Sequence, residues 1–362
     1  MWKKTFKFID LFSGIGGFRK AIEILSVDLK FNTKCVGFSD IDKYAVCAYK
    51  ANYNTEDEIE MWDIENFVND VNNINKLSDF DILFWWFPCQ PFSMMWKKLG
   101  LDDDRWGLFF SVLKLIDIKK PTYILLENVR NLYTHNKWET YSKLKLALEK
   151  HGYYVQQDVF NTSDFWLPQH RRRLYIFASK DNIEKINFSA KNVLEHFVSN
   201  KTMSIKIHKN VLDNILDREE VEEKYYLSER IKPTILSNGS KGFKSNSEIN
   251  QLIARPLTAT MVKLHRACQD NYYSQEFLNS TDPFTYVSKV FSKEDLISHK
   301  IRRLTPWEAL KLQGFTKDFF INSEKAWVSN HQIYKQAGNA VSVNTVYAVL
   351  SYLMKSLLIS KS

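Results

Sequence analysis

Cysteine is scarce in this chain of 362 residues: Cys35, Cys47, Cys89 and Cys268 are the whole set, and no two form a CxxC pair. That excludes a zinc cluster and a disulfide framework, no metal is expected, and so few thiols suit a reducing cytoplasm. Long apolar runs are also missing. The nearest approach to the roughly 18 residues of a membrane span is Ser342 to Ser360, and Asn344, Tyr352 and Lys355 interrupt it, so no membrane association is expected. Met1 to Phe12 carries charges where a signal peptide has a continuous apolar segment, and it reads as a strand. Neither an internal repeat nor a heptad occurs. What is present is the balance of a soluble globular protein, with 44% apolar and 25% charged residues. The length suits one large domain plus a smaller one. A net charge of +8 favours a polyanionic partner.

Short apolar runs alternate with helix-like segments over the first 180 residues, the pattern of a sheet covered on both faces. Strands are expected at Phe6–Phe12, Lys34–Ser39, Asp81–Phe87, Tyr123–Glu127, Tyr153–Asn161 and Arg173–Ala178. Crossover helices are expected at Gly17–Leu25, Lys43–Asn52, Leu108–Ile118 and Thr140–His151. The fold class is therefore α/β, a doubly wound and mostly parallel sheet that binds ligands at the carboxyl ends of its strands. After Lys180 the texture becomes polar, with the acidic run Asp217–Glu223 and the loop-like SNGSKGFKSNS from Ser237 to Ser247. Between Arg230 and Arg266, seven basic residues face Glu248 alone, a net charge of +6. Such a stretch is either a solvated face or a nucleic-acid surface. From Arg302 the chain reads as globular again, and a helix begins at about Val343.

Four segments carry chemistry. In Phe8–Phe18 a strand runs into a turn containing Gly14, Gly16 and Gly17 and then a helix, which lets backbone approach a ligand. A tight structural turn would look the same. Asp40, ending the next strand about 20 residues on, suits ribose hydroxyls, and together they suggest a nucleoside cofactor. The turn lacks GxxxxGK[ST], which argues against a P-loop NTPase. Phe87-Pro-Cys-Gln-Pro-Phe-Ser93 places Cys89 just beyond a strand, bracketed by Pro88 and Pro91, where a nucleophile is more natural than a packing thiol. Glu127-Asn-Val129 ends another strand, and Gln169-His-Arg-Arg-Arg173 follows. Each of these last two alone would pass for a solvated surface.

Taken in order, FSGIGG, Asp40, Asp63-Ile64, PCQ, ENV, Gln169-x-Arg171-x-Arg173 and Gln336-Ala-Gly-Asn-Ala-Val341 closely resemble the motifs of the bacterial-type DNA cytosine-C5 methyltransferase family. The resemblance covers roughly residues 6–180 and 300–360. It implies an S-adenosylmethionine-dependent catalytic domain over 1–184, a target-recognition domain over 185–300, and a segment over 301–362 that returns to complete the first. By the same resemblance, Cys89 is the nucleophile that adds to carbon 6 of cytosine, and Glu127 holds N3 and the 4-amino group. Arg173 contacts O2, and Arg171 makes a neighbouring polar or phosphate contact. Phe12, Gly14, Ile15, Gly17, Asp40, Ile41, Asp63, Ile64, Leu108, Asn339 and Ala340 line the cofactor. Gln90, Ser93, Arg255, Thr260 and Met261 face DNA, with Ala254–Met261 resembling the Thr-Leu core of the recognition region. The implied partner is double-stranded DNA, with the base flipped into the pocket and the loop Met94–Arg105 closing over it. The family further implies a monomer in a restriction-modification system, beside a separately acting endonuclease. A tRNA cytosine-C5 methyltransferase shares the PCQ and ENV chemistry, and a binding-only relative is the non-enzymatic alternative.

The chain departs from the family at its tryptophans. Trp62, Trp86, Trp96, Trp106 and Trp166 stand where the family usually has glycine, and Trp307 where arginine is usual, in a chain with 10 Trp and only 11 Gly. Either an aromatic-rich branch has repacked, or the gene has been recoded or has decayed, since Gly and Arg codons each lie one base from a Trp codon. Indole in place of glycine adds bulk whose overpacking typically costs about 1–3 kcal/mol per site.

Overall fold

The structure is a computed structural model that describes residues 5–86, 107–134, 138–184, 186–201, 203–239, 242 and 244–360. The chain divides into two compact units. The first comprises residues 1–161, 172–205 and 345–362, and the second residues 162–171 and 206–344. Of the returning C-terminal segment, 301–344 therefore belongs with the middle of the chain, and only the last helix joins the first unit.

The first unit is built on a seven-stranded sheet. Its strands are β1 (Phe6–Leu11), β2 (Thr33–Ser39), β3 (Ile59–Glu60), β4 (Ile82–Trp86), β5 (Tyr123–Val129), β6 (Tyr154–Asn161) and β7 (Arg172–Ser179), in the order β3-β2-β1-β4-β5-β7-β6. The central strands ILFWW and YILLENV are almost continuously buried, as expected for strands covered on both faces. Only β7 runs against its neighbours, pairing antiparallel with both β5 and β6. All six strands expected from apolar runs are present. The two-residue edge strand β3 is too short to leave such a signal. The helices Gly17–Leu29, Lys43–Asn52, Gly107–Lys119 and Glu139–Lys150 connect them, each within a few residues of its sequence expectation. Asp42 starts the second of these by accepting the N–H groups of Tyr44 and Ala45 at 3.0 and 3.3 Å. Helix Gly17–Leu29 is tied down through Arg19, which is buried and donates to Glu23 at 2.8 Å, Glu58 at 2.9 Å and the Asn54 carbonyl at 3.0 Å.

This order places the reversal of winding between β1 and β4, which pair in parallel with Leu11 opposite Trp85. Ligands of doubly wound sheets sit at the carboxyl ends of the strands flanking such a reversal.

The second unit is mostly loops and short helices around a small cluster including Leu227, Ile235, Leu236, Tyr272 and Ile301. Its two-stranded sheet pairs Tyr272–Ser274 with Ile301–Arg303. A buried bidentate pair, Arg302 to Glu308 at 2.7 and 2.8 Å, braces the start of helix Pro306–Lys311, where Glu308 also completes a capping box with Thr305.

Candidate active site

Strand pairing carries chemically competent residues to one edge of the sheet. The turn after β1 and the residue after β2 are laced together: Ser13 N–H donates to the Ser39 carbonyl, Phe12 N–H to Ser39 Oγ at 3.2 Å, and Gly14 N–H to Asp40 Oδ2 at 2.8 Å. Asp40 Oδ1 accepts from Asp42 N–H at 2.8 Å, so the carboxylate is fixed by backbone on both oxygens. The turn needs its glycines. Gly16 has φ +75°, and a Cβ there would lie 2.6 Å from the Tyr53 ring. At Gly14 a Cβ would meet nothing within 4 Å among the described residues, so the turn is open on that side. Ser13 Oγ is buried there with no hydrogen-bond partner among the described residues. An unsatisfied hydroxyl beside open space and a fixed carboxylate at a winding reversal form a cradle that fits a ribose-bearing cofactor.

The other expected cofactor residues are placed as follows. Ile15 is buried, Phe12 is half-buried with φ +54°, and Gly17 begins the helix. Ile41 is 72% exposed, an apolar side chain presented to solvent just after Asp40. Asp63 caps helix Ile64–Asn69, accepting from Glu65 N–H at 2.9 Å and the Asn66 amide at 2.7 Å. Ile64 lies in the core, and Leu108 packs against that core. Asn339 and Ala340 belong to the second unit, at the end of helix Asn330–Asn339.

Farther along the same edge, β5 delivers Glu127. It is fully buried, with Trp86 of β4 on one side and Tyr175 of β7 on the other. Because β7 runs antiparallel to β5, its start lies beside the end of β5, and Arg173 Nε comes to 3.3 Å of Glu127 Oε1. The reversed strand is thus what unites residues of ENV and QxRxR. Cys89, Gln90 and Ser93, with Trp96, Trp106 and the loop Met94–Arg105, lie outside the described residues. β4 ends at Trp86, three residues before Cys89.

Arg171 serves differently from its neighbour. Its guanidinium is buried in the second unit and donates to the carbonyls of Leu257 at 3.1 Å, Gly338 at 3.1 Å and Ala340 at 2.9 Å. Gln169, to which the sequence reading assigned no role, is fully buried beside it. It donates to the Leu312 carbonyl and accepts from Leu257 N–H, both at 2.9 Å. Gly338 permits this closeness: a Cβ there would stand 2.3 Å from the Thr258 carbonyl carbon. A glycine within a helix was the available sequence signal for such an approach. The motifs QxRxR and QAGNAV therefore clamp the segment 254–260, which carries Arg255 and Thr260 of the expected DNA contacts. Arg255 donates Nε to the Ala267 carbonyl at 2.8 Å, Thr260 is exposed with its hydroxyl 3.5 Å from that of Thr258, and Met261 opens a short 3-10 turn.

Comparisons with known proteins agree with this arrangement. The family described as C-5 cytosine-specific DNA methylase matches residues 6–355. Type II methyltransferase M1.ScrFI of Lactococcus lactis subsp. cremoris is 34% identical over 98% of this chain and 80% of its own length. Type II methyltransferase M.HaeII of Haemophilus aegyptius is 34% identical over 98% and 94%. Among solved structures, the S. pombe Dnmt2 methyltransferase superposes with a TM-score of 0.71 at 20% identity, covering 99% of both chains, which establishes the likeness of fold. The chain belongs to the C-5 cytosine-specific DNA methylase family and is a DNA (cytosine-5-)-methyltransferase.

Proposed function

We propose that the protein methylates carbon 5 of one cytosine within a specific sequence of double-stranded DNA, through a covalent adduct of Cys89 with the flipped base. The observation that carries this reading is the pairing of buried Glu127 with the half-buried Arg173 at the carboxyl edge of β5, beside the strand that runs into Phe87-Pro-Cys-Gln. Carbon 5 of cytosine is a poor nucleophile until carbon 6 is attacked. The Cys89 thiolate forms the S–C6 bond. Glu127 holds N3 and the 4-amino group as the ring becomes an enamine, and Arg173 faces O2. Carbon 5 then takes the methyl group and afterwards loses its proton, and the thiol departs from carbon 6 to restore the aromatic ring. S-adenosylmethionine, when bound, supplies the electrophilic methyl. Ser13, Gly14 and Asp40 are the residues that would hold it, with Ile41 offering an apolar face to adenine. Arg171 is a positioning residue that holds the 254–260 segment.

In the second unit, a groove of about 710 Å³ lined by Asn238, Asn246, Gln251, Lys289 and Lys293 among others offers amide and ammonium groups suited to base edges and phosphates. Residues 185–300 then choose the sequence, and the enzyme marks host DNA in the cytoplasm against a separately acting endonuclease. The test is trapping on duplex DNA in which 5-fluorocytosine replaces the target base, because fluorine on carbon 5 cannot leave as a proton does. Bisulfite sequencing of DNA from expressing cells first locates that base. A stable protein–DNA adduct that is absent with C89S is expected. An adduct that persists with C89S, or methylation by C89S near the wild-type rate, overturns the assignment.

A further inference from the structure

Among the described residues, ten that are not glycine have positive φ, and four of them are tryptophan: Trp62 at 47°, Trp138 at 75°, Trp166 at 60° and Trp327 at 62°. Only seven tryptophans lie among those residues, so more than half adopt a backbone shape that a bulky side chain disfavours and glycine accepts freely. Asparagine, which tolerates that region, accounts for two of the ten.

Trp327 shows the pattern most plainly. Helix Lys317–Lys325 ends with Trp327 N–H donating to the Glu324 carbonyl and Val328 N–H to the Ser323 carbonyl. This is the Schellman ending, whose left-handed position is usually glycine. The chain builds the same ending twice with glycine. In one, Gly152 N–H donates to the Glu149 carbonyl and Tyr153 N–H to the Leu148 carbonyl. In the other, Gly314 N–H donates to the Lys311 carbonyl and Phe315 N–H to the Leu310 carbonyl, and φ at the two glycines is +83° and +89°.

Lys30 takes the equivalent position in a further ending, so a side chain is tolerated there at a cost. Burial does not account for the indoles at three of these positions. Trp327 is 92% exposed, Trp62 45% and Trp138 47%, the last meeting Tyr133 edge to face. Trp307 differs: it sits in a helix, with its ring near Phe320 and within 5.0 Å of the Lys311 and Lys317 ammonium groups.

We propose that positions 62, 138, 166 and 327 are glycine in the protein its own cell makes, the triplets there being decoded as glycine rather than tryptophan. Average usage of roughly 7% would put about 25 glycines in a chain of this length, against the 11 that are written. Four reassigned triplets would supply part of that deficit, and they explain why the tryptophans fall where the backbone suits glycine. UGA, whose reading differs among genetic codes, is the triplet expected at the four positions. A repacked aromatic branch would instead bury its indoles and leave the backbone in ordinary regions.

Peptide mass spectrometry of the protein purified from its source cells decides the matter, with no need for methyl transfer: glycine at the four positions is expected, and tryptophan at them overturns the proposal. Recombinant protein translated with tryptophan gives an independent readout. W327G should raise the thermal midpoint by about 2–4 °C, whereas W307G, which removes ring contacts from a helix, should lower it. A midpoint for W327G at or below that of the tryptophan form would also overturn the proposal.

Discussion

Replacing Arg171 by alanine separates a structural clamp from a contact to DNA phosphate. The wild-type guanidinium donates three hydrogen bonds, at 2.9 to 3.1 Å, to the carbonyls of Leu257, Gly338 and Ala340, and it is 2% exposed. Hydrogen bonds from a charged donor contribute about 1.5–3 kcal/mol each, and a buried acceptor left alone adds its own desolvation cost. Two of the three bonds share Nη2, so their sum is less than three full bonds. A loss of about 4–6 kcal/mol follows, a large part of the roughly 5–15 kcal/mol that holds a typical domain folded. R171K keeps the charge but loses the planar fork, and one ammonium cannot reproduce the three bonds, so it should fall between wild type and R171A. Urea denaturation followed by tryptophan fluorescence and circular dichroism reads the midpoints. A wild-type midpoint for R171A together with weakened DNA binding would refute the clamp and make Arg171 a surface contact.

Three further outcomes are expected. E127Q keeps the shape of the side chain but removes its charge, and the single-turnover methylation rate should fall about 100-fold or more while DNA binding persists; an unchanged rate counts against the role of Glu127. G338A forces a Cβ to 2.3 Å from the Thr258 carbonyl carbon, so backbone must move, and a loss of about 3 kcal/mol in chemical denaturation is expected; wild-type stability would show that the helix and the Thr258 segment separate freely. Burial pushes the Asp10 carboxyl well above the usual carboxylate range, opposed by Arg19 and reinforced by Glu58, Asp40 and Glu23. A raised acid stabilises the fold while protonated, below its unfolded value of about 3.9, and that contribution is lost as pH rises through the folded value. D10N, neutral throughout, should therefore gain on wild type as pH rises from about 4 to about 8, and a constant difference in thermal midpoint would contradict this.

The sequence by itself determined the elements and the chemistry. Near-continuous apolar runs mark strands covered on both faces, so six of the seven strands of the sheet were legible, whereas the edge strand Ile59–Glu60 is too short to leave a period. The ordered motifs PCQ, ENV and QxRxR pointed to the reaction through their resemblance to the cytosine-C5 methyltransferase family. Which of the two arginines meets Glu127 was decided only by tertiary structure. Arg171 and Arg173 are two apart and identical in chemistry, yet β7 begins at Arg172 and runs antiparallel to β5. Pairing therefore sets Arg173 beside Glu127, while Arg171 stays in the loop before the strand and turns to the carbonyls of another segment. A similar division applies to the tryptophans. Their number was visible in the chain, but φ belongs to the folded backbone, and only the fold distinguishes an indole packed on a helix from one standing where a turn requires glycine.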